Sequence, residues 1–293
     1  MRKDGPLAST GAIRRNLVAS PAWGVVAVSI GTLTVGVLST RVGGVSHLLY
    51  AFGVPAGVLF GPIGAVGFAF GTLCLDLLAG VPLSIAVVRA TGAALFVVVG
   101  YATWDWRPRP TFDHRRLSAL VTYTTAVTIA SLCSVAFLAT CFELLGRAAF
   151  VTSVPALASD HAVPALFVGP VVLYAGAYAV GVDPGQDRDG EPRPTTATIL
   201  GVALIAFAWL VAWSALSLIH HDLATFSGTR RNVAALLPDI LEPAFFTAFV
   251  EFYLPLQGVG AIMAVLGIAT LFVRDEYSVR TRRVRQRPAI GED

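Results

Sequence analysis

What most constrains this chain is a series of apolar runs with almost no charge inside them. They lie near 22–40, 47–60, 63–80, 83–104, 117–142, 163–182, 196–219 and 254–273, and are dominated by Ala, Val, Leu, Ile, Phe and Gly. The hydrocarbon core of a bilayer, about 30 Å thick, is crossed by about 20 such residues in a helix. Within that core each backbone N–H and C=O must find a partner inside the protein, which a helix provides for itself. Only 13% of the residues are charged and 55% are hydrophobic, whereas soluble domains carry about 25% charged residues. The charges present are bunched between the runs, too sparse to cover a soluble core. The expected fold is all-α: a polytopic transmembrane helical bundle of eight spans in a cell membrane.

The basic residues orient it. With the N-terminus inside, Arg2, Lys3, Arg14, Arg15, the four arginines of the 105–116 loop, the two of 183–195 and the six from Arg274 onward total sixteen on the cytoplasmic side. Arg41, Arg147, Arg230 and Arg231 fall outside, and Arg89 lies within a run. Short loops rich in Arg and Lys stay in the cytoplasm, so an even number of spans with both termini cytoplasmic is expected. The stretch 235–253 carries Asp239, Glu242 and Glu251 and is expected as an interfacial helix, since a ninth span would carry the six-arginine tail outside. The first run continues without an A-x-A-like exit, so it reads as a retained span and not a cleaved signal.

The organisation that follows is a six-span bundle over 1–182, a Pro-, Gly- and acid-rich cytoplasmic linker at 183–195, and two further spans over 196–273. An interfacial segment at 220–253 lies between those two, and a basic cytoplasmic tail occupies 274–293. The short second and third runs meet at Gly61-Pro62. They suit either a tight helical hairpin or a broken, re-entrant pair, because a break at membrane depth survives only when buried in protein or lining a cavity.

Gly64, Gly67 and Gly71 recur at three- and four-residue spacing on one helical face. Small residues so spaced let helix backbones approach closely in lipid, and together with Gly61 and Pro62 they are read as helix-packing positions. The same face suits the border of a ligand cavity or a sliding interface. Asp76 lies four residues before the turn at Gly80, and Arg89 about two helical turns beyond it, so both reach similar depth below the outer surface. Charge inside a membrane must be paired or wet, which predicts an Asp76–Arg89 pair. That pair serves either as a structural ion pair or as ligand contacts in an outward-facing cavity, with Glu143 as a third candidate ligand-binding residue in the same layer.

Phe60-Gly61-Pro62, Gly64, Gly67, Gly71, Asp76 and Gly80 together resemble a stretch of the S-components of energy-coupling-factor vitamin transporters. In that family an L-F-G-P-type turn joins two early spans, and a Gly-rich helix ends in an acidic residue. The resemblance covers about 30 residues directly and, by span count, 21–182. It implies a substrate-binding membrane subunit for uptake of a small solute such as a vitamin, driven by partner ATPase subunits through a transmembrane coupling subunit. The family's small-x-x-x-small pattern on the first helix is met by Ala27/Gly31 and not by Gly24/Val28, and the two spans of 196–273 have no counterpart in the six-span unit. The alternative reading is a membrane-embedded sensory or scaffold protein that binds a ligand or partner without transport, though no soluble output domain follows residue 273.

Several chemistries are excluded. Lys3 is the sole lysine, so a P-loop or a retinal Schiff base has no lysine to use. HExxH, GxSxG and CxxC patterns are absent, and no enzymatic activity or cofactor is expected. Cys74, Cys133 and Cys141 read as small buried hydrophobes, and His220-His221-Asp222 lacks the convergent ligand set of a metal site. The basic tail suits a lipid surface and topology, not nucleic acid. Trp104 and Trp106 are expected as interfacial anchors, and Trp209 and Trp213, four apart, as packing residues.

Overall fold

A computed structural model describes residues 21–41, 46–106, 117–180, 194–225 and 243–286. Among them every regular element is helical. The order is α1 (Pro21–Arg41), a 3-10 helix (Ser46–Phe52), α2 (Gly53–Phe60), α3 (Pro62–Leu78), α4 (Leu83–Trp104), α5 (Leu117–Leu144), α6 (Phe150–Phe167), α7 (Gly169–Val180), α8 (Thr196–Thr225) and α9 (Pro243–Gln286). Residues 183–193 of the expected linker, 226–242 of the expected interfacial segment, and Arg107, Arg109, Arg115, Arg116, Arg230 and Arg231 lie outside the described residues.

Leu83–Trp104, Ser118–Leu144, Thr196–Leu218 and Phe252–Val273 are each long and apolar enough to cross a membrane. At 1.5 Å per residue the shortest of them, 22 residues long, reaches about 33 Å. Phe150–Phe167 and Gly169–Ala179 together form a fifth stretch of this kind, bent by 49°. Gly24–Leu38, Leu48–Phe60 and Pro62–Leu78 are apolar but shorter.

Local chemistry explains the breaks. Gly61 adopts φ 65°, a left-handed value that a side chain disfavours, and its N–H bonds to Gly57 O at 2.7 Å. Pro62 then opens α3, where its missing N–H is no loss. The chain folds back on itself here: Gly64 lies against the backbone of Ala56, and a Cβ on Gly53 would come within 3.6 Å of Phe68 Cε1. The 47–80 segment is therefore a tight antiparallel helical hairpin. Gly80, at φ 75°, turns the chain again before Pro82 caps α4.

The sixth expected span begins earlier than its hydropathy suggests. The sequence places it at 163–182, but helix starts at Phe150 and breaks at Val168. Ser153, Ser159, Asp160 and His161 dilute the apolar signal of α6 without preventing a helix. Pro170, with no N–H to offer Leu166 O, accounts for the bend. Similarly, α9 runs unbroken from Pro243 to Gln286, joining the end of the expected interfacial segment, the last apolar run and the first part of the basic tail in one helix.

The core is built where α3, α4, α5 and α6 meet around the 3-10 helix. Its centre holds Tyr50, Val54, Phe68, Phe96, Val97 and Val127. Trp104 corrects the sequence expectation: it is 5% exposed and meets Tyr123 edge-on at 6.2 Å, a core position and not a lipid-facing belt. Trp106 donates from Nε1 to Thr196 Oγ1 at 3.0 Å and so ties the end of α4 to α8.

Two of the three glycines of α3 face α1. A Cβ at Gly67 would lie 2.8 Å from both Val25 O and Val28 Cβ, and one at Gly71 2.6 Å from Thr32 Cβ. The close approach lets Ser29 Oγ donate across to Gly67 O at 3.0 Å. Gly67→Ala is expected to destabilise the bundle by about 1–3 kcal/mol through overpacking. Gly31→Ala on α1, where an added Cβ meets nothing within 4 Å, should be neutral or gain up to about 1 kcal/mol of helix propensity. Thermal unfolding of the two variants in detergent checks the contrast, and equal losses would refute it.

Candidate functional site

Asp76 stands on the last turn of α3 and Arg89 on the second turn of α4, on either side of the Gly80 turn. Arg89 Nη1 meets Asp76 Oδ1 at 2.8 Å. The two residues are not equally enclosed, with side-chain exposures of 4% for Asp76 and 36% for Arg89. Their contact leaves bonding capacity unused. Asp76 Oδ2 is buried with no hydrogen-bond partner among the described residues. A guanidinium carries five N–H donors, and among the described residues only the Asp76 contact engages that of Arg89.

Behind the pair lies an aromatic layer. His161 of α6 is fully buried and stacks on Tyr50, the ring centroids 3.6 Å apart and the planes tilted by 32°. Phe96 presents an edge to both, at 5.3 Å from Tyr50 and 5.8 Å from His161, and Phe68 meets Tyr50 at 6.0 Å. The Arg89 charge is within electrostatic reach of both the Tyr50 phenol and the His161 ring, and Asp76 within reach of Tyr50. Seven residues of α4 separate Arg89 from Phe96, a rise of about 10 Å. Between these positions along the two helices, Ala93 on α4 and Thr72 on α3 are buried, and the Thr72 hydroxyl donates to Phe68 O at 2.8 Å. Neither ring nitrogen of His161 has a partner among the described residues.

Glu143 is not part of this constellation. Its carboxylate accepts from Ser217 Oγ at 2.9 Å on Oε1, and from Tyr253 OH at 2.9 Å and Gln257 Nε2 at 2.6 Å on Oε2. The Phe150 amide donates to it as well. The expected three-residue layer thus resolves into two centres: a charge pair joining α3 to α4, and a carboxylate clamp joining α5 to α8 and α9. Around the clamp, Trp209 donates to Thr140 Oγ1 at 3.1 Å, Trp213 packs edge-on to Tyr253, and His220 stacks on Tyr253 at 4.3 Å. The side chains of His221 and Asp222 lie outside the described residues.

An apolar cavity of about 450 Å³ opens between α1, α2 and α7. Ala27 and Gly31 line it on one side, Phe52 and Phe60 on another, Gly176 on the third. Its one side-chain hydroxyl, on Thr32, is already bonded to Val28 O at 2.7 Å. The cavity therefore offers hydrocarbon contact and no side-chain recognition of a polar group.

Sequence reasoning missed His161, Tyr50, Ser217, Tyr253 and Gln257. The available signal was a polar residue embedded in an apolar context, Asp160-His161 and Gln257 above all, but none has a partner nearby in sequence.

The fold defines a class: an all-α protein made of apolar helices, four or five of them of membrane-crossing length, with an ion pair whose aspartate is buried and whose arginine is partly exposed. Within that class no further assignment comes from comparison, since no family model, no curated protein and no solved structure matches the chain.

Proposed function

We propose that this chain is a multi-pass cell-membrane protein of eight spans, both ends cytoplasmic, that binds a small polar solute for uptake. The observation that carries the reading is the Asp76–Arg89 pair. A charge inside a membrane is expensive and is kept, as a rule, where it is paired or serves a ligand. Among the described residues the pair leaves one carboxylate oxygen and most of the guanidinium donors without a partner, so it has capacity for a third participant. Arg89 is the half-open member and supplies the approach. The resemblance of 52–80 to the S-components of energy-coupling-factor transporters supports the same reading, in which partner ATPase and transmembrane coupling subunits would supply the energy. The chain's own single lysine, Lys3, suits no P-loop.

The test is purification of the tagged full chain from its native membrane, with mass spectrometry of bound proteins and small molecules. A solute recovered with the unmodified chain should fall by about 10–100-fold with Asp76→Asn or Arg89→Gln, the loss of one or two charge-assisted hydrogen bonds. Co-recovery of an ATPase with a coupling subunit would support uptake. Recovery of a receptor or kinase partner, with no solute dependent on these two residues, would replace transport by a sensory or scaffolding role.

A further inference from the structure

We propose that the cavity between α1, α2 and α7 is a lipid site that takes one acyl chain of a bilayer phospholipid. The inference rests on membrane residence and is independent of solute binding at Asp76 and Arg89.

Small side chains leave this space open. α1 packs mainly against α3, and α7 against α2, so the cavity lies where α1 and α7 do not close on each other. Ala27 and Gly31, four apart, supply the α1 wall, and Ala175, Gly176 and Ala179 the α7 wall. A Cβ on Gly31 would meet nothing within 4 Å. The volume of about 450 Å³ stands out against protein interiors, where voids larger than a water molecule are few. It also falls within the range of small-molecule sites, about 300–1,000 Å³. An apolar cavity of only about 150 Å³ stays dry and takes up an apolar guest. Water would find little to bond here, because the one side-chain hydroxyl, on Thr32, is already bonded to Val28 O. An apolar occupant, by contrast, gains dispersion contacts along the whole lining.

Direction and access select that occupant. Val172, Ala175, Gly176 and Ala179 all line the cavity and follow the three- and four-residue spacing of one helical face. The cavity therefore runs along α7 for about 10 Å, and along α1, from Ala27 to Thr32, for about 7.5 Å. It is a slot lengthwise to both helices, the direction that lipid chains take beside helices crossing a bilayer. Ala27, Ala175 and Ala179 line the slot and are nevertheless exposed, so it is open along its side. On each helix a large exposed apolar side chain adjoins the lining, Ile30 before Gly31 and Val171 before Val172. In a bilayer those surfaces meet hydrocarbon, and a chain reaches the slot without leaving it. A partner helix would need ridges and grooves matched over several turns, whereas about two turns suffice for the end of a chain. No charged side chain lines the slot to hold a polar solute.

The test is photolabelling of the full chain in phosphatidylcholine vesicles that contain phosphatidylcholine with a diazirine near the end of one acyl chain. Labelled peptides are mapped by mass spectrometry. Labelling of α1 around Gly31 and of α7 around Gly176 should saturate as the probe fraction rises. The exposed face of α9 at Val259, Ile262 and Met263 reports bulk lipid, and its labelling should rise in proportion to the probe. Gly31→Leu fills the slot and Ala27→Leu obstructs its open side. Either should lower the α1 and α7 labelling at least about fivefold, because close-packed side chains leave no room for the chain, with α9 labelling unchanged. Ala27 is exposed, so its variant decides the matter even if Gly31→Leu unfolds the bundle. Slot labelling that does not saturate, or that survives Ala27→Leu, would overturn the proposal, as would crosslinking of these peptides to a second copy of the chain in place of lipid. Labelling of α9 alone refutes the lipid site and leaves membrane residence standing. Labelling of neither refutes both. A solute that proves independent of Asp76 and Arg89 counts against the uptake reading and leaves this site unaffected.

Discussion

Glu143→Ala is expected to destabilise the protein by about 2–5 kcal/mol, the cost of breaking a buried, hydrogen-bonded carboxylate centre. Three side-chain donors converge on this carboxylate, from Ser217, Tyr253 and Gln257. A hydrogen bond between membrane helices contributes about 0.6 kcal/mol on average and up to about 1.7, and bonds to a charged acceptor lie toward the high end. Truncation also strands three buried donors, and Gln257 is fully enclosed with its own Oε1 already unpartnered. Glu143→Gln keeps the shape but points an NH₂ at groups that donate, so its loss should be intermediate. The damage should be local first. Because the clamp ties α8 and α9 to α5, hydrogen exchange along Thr196–Leu218 and Phe252–Val273 should accelerate before that of α3 and α4. Uniform acceleration across all helices would show that the clamp is not what docks the last two helices.

That expectation bears on what 196–273 is for. Counting spans makes these helices look like an addition to a six-span unit. In the structure they share a buried polar centre with α5 and a hydrophobic cluster of Phe150, Trp209, Trp213 and Tyr253. They are docked through the same carboxylate that depth arithmetic assigned to a ligand layer.

The contrast between the two acidic residues shows what was legible. Asp76 and Arg89 are thirteen residues apart across one marked turn, Gly80-Val81-Pro82, so counting helical rise from the turn places them opposite each other. The partners of Glu143 lie 74, 110 and 114 residues further along the chain, and no local period relates them to it. Depth alone put Glu143 beside Asp76; lateral position, which hydropathy does not encode, separates the two. His161 escaped for a different reason. Five polar residues among 152–161 pulled the window below the apolar threshold, although serine and threonine sustain a buried helix by bonding back to carbonyls three or four residues earlier, as Thr152 and Ser153 do to Ala149 O. The Gly61-Pro62 break and the glycine face of α3 were legible because backbone-level requirements, a positive φ and a close helix approach, leave few residue choices.

The ion pair itself yields an asymmetric result. Arg89→Ala is expected to destabilise the protein more than Asp76→Ala, and the double variant less than Arg89→Ala alone. Removing Arg89 leaves Asp76, 4% exposed, with neither oxygen bonded, an uncompensated buried charge of the kind that costs about 3–5 kcal/mol. Removing Asp76 leaves a guanidinium that is 36% exposed and can turn its donors to water or headgroups by extending its flexible stem, so a loss of about 1 kcal/mol is expected, as for an exposed pair. The double variant removes both charges together and should recover about 2 kcal/mol of the Arg89→Ala loss, a coupling within the range found for contacting residues. Equilibrium unfolding of the four proteins in one detergent measures this directly. Additive losses would mean that the 2.8 Å contact contributes nothing to stability. Equal single losses would mean that Arg89 is as enclosed as its partner, which would close the approach through which a solute is proposed to enter.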